Sequence, residues 1–280
     1  MTDPQKLPHL LRLLDDDSEI VRQSVISELA AYGPNLEREL ARLKISPTDR
    51  QKELIRELLQ ESARSRFRNE WSAWRVMPET PDKLETGVRN LSEYLDGFTS
   101  GSELSGRLDM LAEEFRAQQD SRDALALARF LFQEKGLKGA EKDYDNPQNS
   151  NLFYVLGQRR GIPISLTVVF MLVGHRLGMV IEGLNFPGHF LARATVGSGI
   201  VVIDCFNGGR FVEESHFRKQ VADNPLASVE MEDLSCTPSV ILGRMIRNLI
   251  NAFEKLQDRS QVTFLTEMAE PLAAPDDEPE

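Results

Sequence analysis

The sequence predicts an α+β fold, in which helices come first and an antiparallel sheet comes later. Apolar residues recur at helical spacing up to about residue 137. Beyond residue 180 they form short runs rich in β-branched residues, and a glycine-containing turn separates two of these runs. The change of period indicates that the sheet belongs to the second half of the chain.

Length and composition describe a folded protein with room for about two domains. The chain has 280 residues, of which 41% are hydrophobic and 28% are charged. This balance excludes disordered, collagen-like and low-complexity classes. The 33 basic and 44 acidic residues give a net charge of −11, which disfavours attraction to nucleic acid or anionic lipid. We therefore expect no nucleic acid or membrane partner.

The cellular compartment is predicted from the cysteines and the apolar runs. Cys205 and Cys236 do not form a Cys-x-x-Cys pair or a disulfide framework, which favours a reducing compartment. The N-terminus lacks the pattern of a secretory signal, and the longest apolar run, 166–174, is far short of the roughly 20 residues of a membrane span. These observations favour the cytoplasm.

Three short helices are expected between residues 7 and 45. Asp17 or Ser18 is a candidate N-cap of the second helix, and Gly33 is its expected stop. Its apolar stripe consists of Val21, Val25 and Leu29, flanked by Ile26. A longer fourth helix is expected to begin with Ser46 as N-cap and Pro47 at the first helical position.

The first helices share the pattern LLxLLxDxxxxVRxxxxxxLxxxG with a known repeat class. Its members are Leu10, Leu11, Leu13, Leu14, Asp16, Val21, Arg22, Leu29 and Gly33. This pattern resembles a HEAT-type helical repeat, although only one unit is visible. The resemblance implies a surface that binds a protein partner.

Prolines and charge divide the chain into three parts. Pro78 and Pro81 end a helix and predict a boundary between a helical HEAT-like domain, 1–78, and a core with leading helices, 79–260. The last part, 261–280, is predicted to be an acidic, disordered tail, because its final twelve residues carry five acidic and no basic residues.

Within the predicted core, after its leading helices, a helix at 163–177 is followed by strands at 180–186, 189–196 and 199–206. His189 is expected to open the second strand, and Asp204 lies near the end of the third. A two-residue Gly197-Ser198 loop would place both side chains on one face of the sheet, one diagonal step apart. A three-residue loop would send them to opposite faces unless a bulge intervenes, and the sequence leaves both registers open.

Ser165 is the candidate nucleophile that would complete a catalytic arrangement with His189 and Asp204. It lies at the start of the core helix, where free backbone N–H groups and the helix dipole stabilise a developing anion. In this hypothesis Ser165 attacks, His189 takes its proton and Asp204 orients the imidazole. The structural alternatives are that Ser165 satisfies N-terminal helix donors, that His189 holds a turn, and that Asp204 caps the turn at 207–209.

Three strings in this order resemble the transglutaminase-like core of bacterial SirB-type proteins, within the papain-like superfamily. They are NPQNSNLFYVLGQRRGIPISL, LGMVIEGLNFPGHFLAR and IDCFNGG, and the likeness covers about 85–255. The resemblance implies a papain-like core whose nucleophile, His and Asp lie on a helix and two strands, and a catalytic Cys. Here Pro163, Ile164 and Ser165 occupy the start of that helix instead, and Cys205 is expected to pack in the core.

Three functional hypotheses follow. The first is a protein-binding or scaffolding module that has lost thiol catalysis, and the second is an amide or ester hydrolase or acyltransferase that uses Ser165, His189 and Asp204. The third is a pocket in which His189, Asp204 and Asn185 hold a peptide or small acid without chemistry, with Asn149 and Asn207 as further lining residues.

No metal or nucleotide cofactor is expected. His9, His175 and His216 lack the mutual spacing of metal ligands, and neither a Walker A nor a GxGxxG signature occurs. The expected partner is a protein or a peptide.

Overall fold

The computed structural model describes residues 3–14, 16–32, 35–45, 47–96, 103–118, 123–186, 188–222 and 234–272. The chain divides into two compact units. The first comprises residues 1–70 and 93–101, and the second comprises 71–92 and 102–280. The predicted boundary after residue 78 lies eight residues beyond the division at residue 70. Gly33 and Ser46, which were expected to end and to begin helices, lie outside the described residues.

The first unit is helical, as the hydrophobic spacing predicts. Its helices are α1 (Leu7–Leu13), α2 (Glu19–Ala30), α3 (Asn35–Arg42) and most of α4 (Asp49–Arg75). The α2 stripe points inward: Val25 and Leu29 are buried, and Val21 and Ile26 pack against the same cluster. Ser18 precedes α2, but its side chain makes no capping bond. Asp16 accepts the backbone N–H of Ser18 instead, at 2.9 Å.

The start of α4 differs from the prediction, because Thr48 provides the cap. The Thr48 hydroxyl accepts the backbone N–H of Gln51 at 3.2 Å, and the Gln51 side chain accepts the N–H of Thr48 at 3.0 Å. This reciprocal capping box satisfies two backbone donors. The helix consequently begins at Asp49, two residues after Pro47.

The second unit contains the sheets and the remaining helices. These helices are α5 (Pro81–Leu95), α6 (Glu103–Gln118), α7 (Ala124–Arg129), α8 (Leu152–Gln158), α9 (Pro163–Arg176), α10 (Glu214–Ala222), α11 (Pro238–Lys255) and α12 (Arg259–Ala269). The final three residues of α5 group with the first unit. A π-helical turn, Phe130–Glu134, follows α7, and a 3₁₀ turn, Pro147–Ser150, precedes α8.

Helix α9 is the central helix of the second unit. Its residues are buried on every face from Pro163 to Phe170, because the segment contains no charged side chain. Strands β3 (Ile181–Leu184) and β4 (Leu191–Val196) pack on it from one side, and α6, α7 and α8 pack on others. The predicted helix in the core of the fold is thus confirmed, and it lies against the sheet.

The main sheet has four antiparallel strands in the order β3-β4-β5-β6, where β5 is Gly199–Asp204 and β6 is Arg210–Glu213. Three of these strands were predicted, and β6 was not. His189 does not open β4, since the strand begins two residues later. A separate parallel pair joins β1 (Lys138–Gly139) to β2 (Arg160–Gly161).

The predicted disordered tail overlaps an ordered helix, which is a correction to its start at residue 261. Helix α12 packs on α11 and buries Phe264, Leu265 and Met268. The Met268 carbonyl also accepts the indole N–H of Trp71 at 3.0 Å. The apolar spacing within 262–268 was overlooked because the acidic residues beyond it dominated the composition.

None of the helices within the described ranges combines the length and the apolar character that crossing a bilayer requires.

Candidate functional site

The β4–β5 hairpin has the two-residue loop, which decides between the two registers. Val196 pairs with Gly199, and Ala192 pairs with Ile203. Gly197 has a φ of +59°, which suits the first central position of a tight hairpin turn and favours glycine there. This register brings His189, just before β4, beside Asp204 at the end of β5.

The side chains of His189 and Asp204 meet. Nε2 of His189 lies 3.0 Å from Oδ2 of Asp204, and each side chain is about one quarter exposed, at 25% and 24%. Nε2 itself is shielded from solvent and makes no well-aligned hydrogen bond within the described residues. The contact is therefore a close electrostatic one rather than a linear hydrogen bond.

Asp204 also caps the turn that follows β5, as its structural alternative predicted. Its Oδ1 accepts the backbone N–H groups of Phe206 and Asn207, each at 3.1 Å. Its Oδ2 accepts the side-chain amide of Asn207 at 2.8 Å. Burial opposes ionisation, but the contacts from His189 and Asn207 outweigh it and lower the pKa of Asp204.

An aromatic wall that the sequence reasoning missed completes the site. The ring of Phe206 stands edge-on to His189, with centroids 6.2 Å apart and an interplanar angle of 90°. The ring of Tyr144 also packs edge-on against Phe206, with the two centroids 6.1 Å apart. A Cβ on Gly139 would lie 2.6 Å from the Phe206 ring, so glycine is needed there. Phe206 lies two residues after Asp204 in the sequence, and this short separation could have indicated that its ring belongs to the site.

Ser165 is fully buried, and its hydroxyl is committed to the backbone. Its Oγ donates toward the Asn149 carbonyl at 2.7 Å and lies 3.0 Å from the Ile162 carbonyl. It also accepts the N–H of Ile162 at 3.1 Å. Ile162 has no side-chain acceptor, so Ser165 supplies the bond that joins the start of α9 to the residue before it. Between Ser165 and His189 the structure places no hydrogen bond.

The three asparagines of the predicted pocket make different contacts. Asn149 is 2% exposed, and its amide bonds the carbonyls of Asp143 and Tyr144. The side-chain oxygen of Asn185 accepts from Arg244 on α11. Asn207 is exposed beside Asp204. Of the three, Asn207 alone contacts the His189–Asp204 pair directly within the described residues. Arg244, the partner of Asn185, was also missed by the sequence reasoning.

Burial raises the pKa of both cysteines, so neither offers a reactive thiolate. Cys205 is buried in the core, as expected, and burial raises its pKa to about 12. Burial also raises the pKa of Cys236 to about 11. Both thiols therefore stay protonated at neutral pH. Among the residues described, His, Cys, Asp and Glu side chains do not gather in groups of three or more that would hold a metal.

A family model described as the transglutaminase-like superfamily matches residues 94–247. The match covers more than half of the chain and includes α9, the hairpin and the His189–Asp204 pair. The chain belongs to the transglutaminase-like superfamily. Within this superfamily member, the pair of His189 and Asp204 is present and the helix start carries Ser165.

The similar proteins come from bacteria and animals. A UPF0162 protein of Xylella fastidiosa is 40% identical over 138 residues, which are 46% of this chain and 48% of the relative. A UPF0162 protein of Pseudomonas aeruginosa is 30% identical over 179 residues, 61% of this chain and 64% of the relative. F-box only protein 21 of Mus musculus is 37% identical over 82 residues, 29% of this chain and 13% of the relative.

The chain thus spans about half the length of the Xylella relatives that it matches. No solved structure matches it.

Proposed function

We propose that this transglutaminase-like protein is a SirB-type member that has lost thiol catalysis and works as a protein-binding or scaffolding module. The observation that carries the proposal is the state of Ser165. A nucleophilic hydroxyl needs an adjacent base and access to substrate. Ser165 has neither, because it is fully buried and its Oγ bonds the backbone of Ile162 and Asn149.

The surface around His189 and Asp204 is the proposed binding site. It offers an imidazole, a carboxylate held ionised by its neighbours, and the rings of Phe206 and Tyr144. Aromatic side chains supply large contact areas at protein interfaces, and the polar pair supplies orientation. The N-terminal helices, through their HEAT-like pattern, would add a second surface for a protein partner.

Affinity capture with matched histidine variants tests this proposal. His189→Ala removes the imidazole of the site, and His216→Ala removes an exposed imidazole on α10. We expect wild type and His216→Ala to capture the same proteins from a lysate of the source organism, and His189→Ala to lose at least one. Identical capture by all three folded proteins would contradict the proposal.

A Ser-His-Asp hydrolase or acyltransferase is the second candidate, and the 3.0 Å contact between His189 and Asp204 favours it. It requires the Ser165 hydroxyl to leave its backbone partners and reach His189. Ser165→Cys in a Cys236→Ser background tests this step. If His189 reaches the introduced thiol, the pKa of that thiol falls well below the value of about 8.5 for a free cysteine. We expect a thiol that alkylates slowly and shows no such fall.

A further inference from the structure

A groove lined by basic side chains adjoins the His189–Asp204 pair. It has a volume of about 410 Å³, within the size range of ligand pockets, and Phe206 and Asn207 form part of its wall. Four cations line it, namely Lys138, Lys142, Arg160 and Arg210, together with one carboxylate, Glu141. All four cations are exposed. We call this feature the basic groove.

The four cations of the basic groove have no carboxylate partner among the residues that the structure describes. The chain has 44 acidic and 33 basic residues, so possible carboxylate partners are in excess. Two arginines elsewhere in the second unit do have such partners: Arg176 binds Glu85 and Asp109, and Arg193 binds Glu182 and Glu214. An uncompensated cluster of like charge costs stability, so its presence points to a ligand of opposite charge.

The backbone forces two of these cations together. In the parallel pair of β1 and β2, Lys138 lies opposite Arg160. Residues opposite each other on neighbouring strands share a face, and like charges in such positions repel. A residue of either charge or none would fit these exposed positions equally well, so the fold itself does not require this repulsion.

Strand pairing also ties the basic groove to the candidate site. Arg210, the first residue of β6, pairs with Asp204. Cross-strand partners share a face, so Arg210 and the His189–Asp204 pair lie on one side of the sheet. Phe206 contacts His189 on one side and lies against Gly139, in the groove wall, on another. The groove therefore lies next to the candidate site, and Phe206 and Asn207 belong to both.

We propose that the basic groove binds an acidic peptide segment of a partner protein. This inference rests on the proposed binding function and gives the chemistry of its ligand. Carboxylates of such a segment would pair with the four cations, and the Phe206 ring would contact its apolar parts. A peptide is favoured over nucleic acid because the net charge of −11 repels a long polyanion, whereas a short segment meets mainly the local field.

Fluorescence anisotropy with a labelled hexaglutamate peptide tests the inference on the full chain. The probe variant is Lys138→Glu with Arg160→Glu. The control is Arg12→Glu with Lys44→Glu, an equal charge change at exposed positions of the first unit that have no partner among the described residues. We expect wild type and control to bind with similar Kd and the probe variant to bind at least about tenfold more weakly. Raising the salt concentration should weaken wild-type binding.

The single variant Arg160→Glu shows whether weaker peptide binding is caused by misfolding. It places opposite charges across β1 and β2, so its melting temperature should equal or exceed that of wild type while the peptide binds more weakly. Equal peptide affinity for wild type and the probe variant, or no binding to wild type, would overturn the inference. A single-stranded oligonucleotide that competes better than hexaglutamate would overturn the choice of a peptide.

Peptide binding and protein capture test the acidic ligand and the binding function separately. If the groove does not bind hexaglutamate but His189→Ala still loses a captured protein, the binding function stands without an acidic ligand. If an activated serine is found at Ser165, the non-catalytic function fails whatever the groove binds.

Discussion

Oδ2 of Asp204 lies 3.0 Å from Nε2 of His189 while Oδ1 of the same carboxylate caps the following turn. The Asp204 carboxylate thus makes a contact typical of catalytic sites and also the hydrogen bonds that cap a turn. The contact alone does not identify an enzyme, because the capping bonds give Asp204 a structural role even if no reaction takes place at the site. What decides the function is whether a reactive group lies beside His189.

Replacing His189 by Ala should raise the pKa of Asp204. Burial opposes ionisation, and the His189 contact is one of the interactions that lower the pKa below its ordinary value. A lowered folded-state pKa adds stability above the unfolded value of about 3.9, and this contribution is lost as pH falls through the folded value. In His189→Ala the loss should therefore begin at higher pH. Carboxyl ¹³C titration by NMR measures the pKa, with His216→Ala as control; equal values in both variants would contradict the contact.

The capping role predicts a difference between two substitutions of Asp204. Asp204→Ala removes the acceptor of two backbone N–H groups and should cost about 1–3 kcal/mol of unfolding free energy. Asp204→Asn keeps an acceptor oxygen and should cost clearly less. Urea unfolding of both variants is the measurement. An equal loss would show that charge, and not capping, accounts for the stability.

Ser165→Ala should destabilise the protein by about 1–3 kcal/mol, because it strands the buried N–H of Ile162 and the carbonyl of Asn149. Ser198→Ala, at the exposed tip of the hairpin, should change the unfolding free energy by less than about 0.5 kcal/mol. Chemical denaturation compares the two. A neutral Ser165→Ala would mean that the hydroxyl is not structural, which would favour its role as a nucleophile.

An ion pair between α5 and α9 gives a further prediction on pH. Arg176 donates two bonds of 2.8 Å to the carboxylate of Glu85, and Ser105 donates a third. Burial opposes ionisation of Glu85, but these bonds lower its pKa. Its contribution is present above the unfolded value of about 4.3 and disappears as pH falls through the lower folded value.

Glu85→Gln should therefore cost about 1–3 kcal/mol at neutral pH and much less in acid, as measured by urea unfolding across pH. Glu113→Gln, at an exposed position of α6, is the control and should be nearly neutral. A penalty for Glu85→Gln that does not depend on pH would contradict the role of its charge.

Alanine substitutions at two adjacent glycines distinguish the cost of backbone strain from the cost of a steric clash. Gly208 and Gly209 have φ values of +76° and +72°. A Cβ on Gly208 would meet open space, but a Cβ on Gly209 would lie 2.8 Å from the ring of Phe132. Gly208→Ala should cost about 1 kcal/mol from backbone conformation alone. Thermal unfolding should show a larger loss for Gly209→Ala, and equal losses would contradict the close approach of Gly209 to the Phe132 ring.

Periodicity in the sequence predicted most of the fold. The apolar spacing of α2 and the long uncharged run of α9 predicted helices, and β-branched runs predicted β3, β4 and β5. Strand β6 was missed because Arg210–Glu213 has only two apolar residues and is held by its pairing with β5. The start of α4 was misplaced because Pro47 is a strong signal, while the Thr48–Gln51 box depends on side-chain geometry.

The candidate site was predictable only in part. The sequence named His189, Asp204 and Ser165, but the hairpin register that joins the first two depends on one residue of loop length. The hydroxyl of Ser165 bonds the carbonyl of Asn149, sixteen residues earlier in the chain, and composition does not reveal such a contact. The basic groove was missed for the same reason, since its four cations come from three segments of the chain.

We infer that Ser165 is a structural residue and that the protein works by binding. Intact-mass analysis of wild type and Ser165→Ala after treatment with a fluorophosphonate tests it most directly, because this reagent requires an activated serine. We predict no adduct on either protein, since the hydroxyl is buried and bonded to the backbone. A stoichiometric adduct on wild type that is absent from Ser165→Ala would contradict the claim and make the protein a serine hydrolase or acyltransferase.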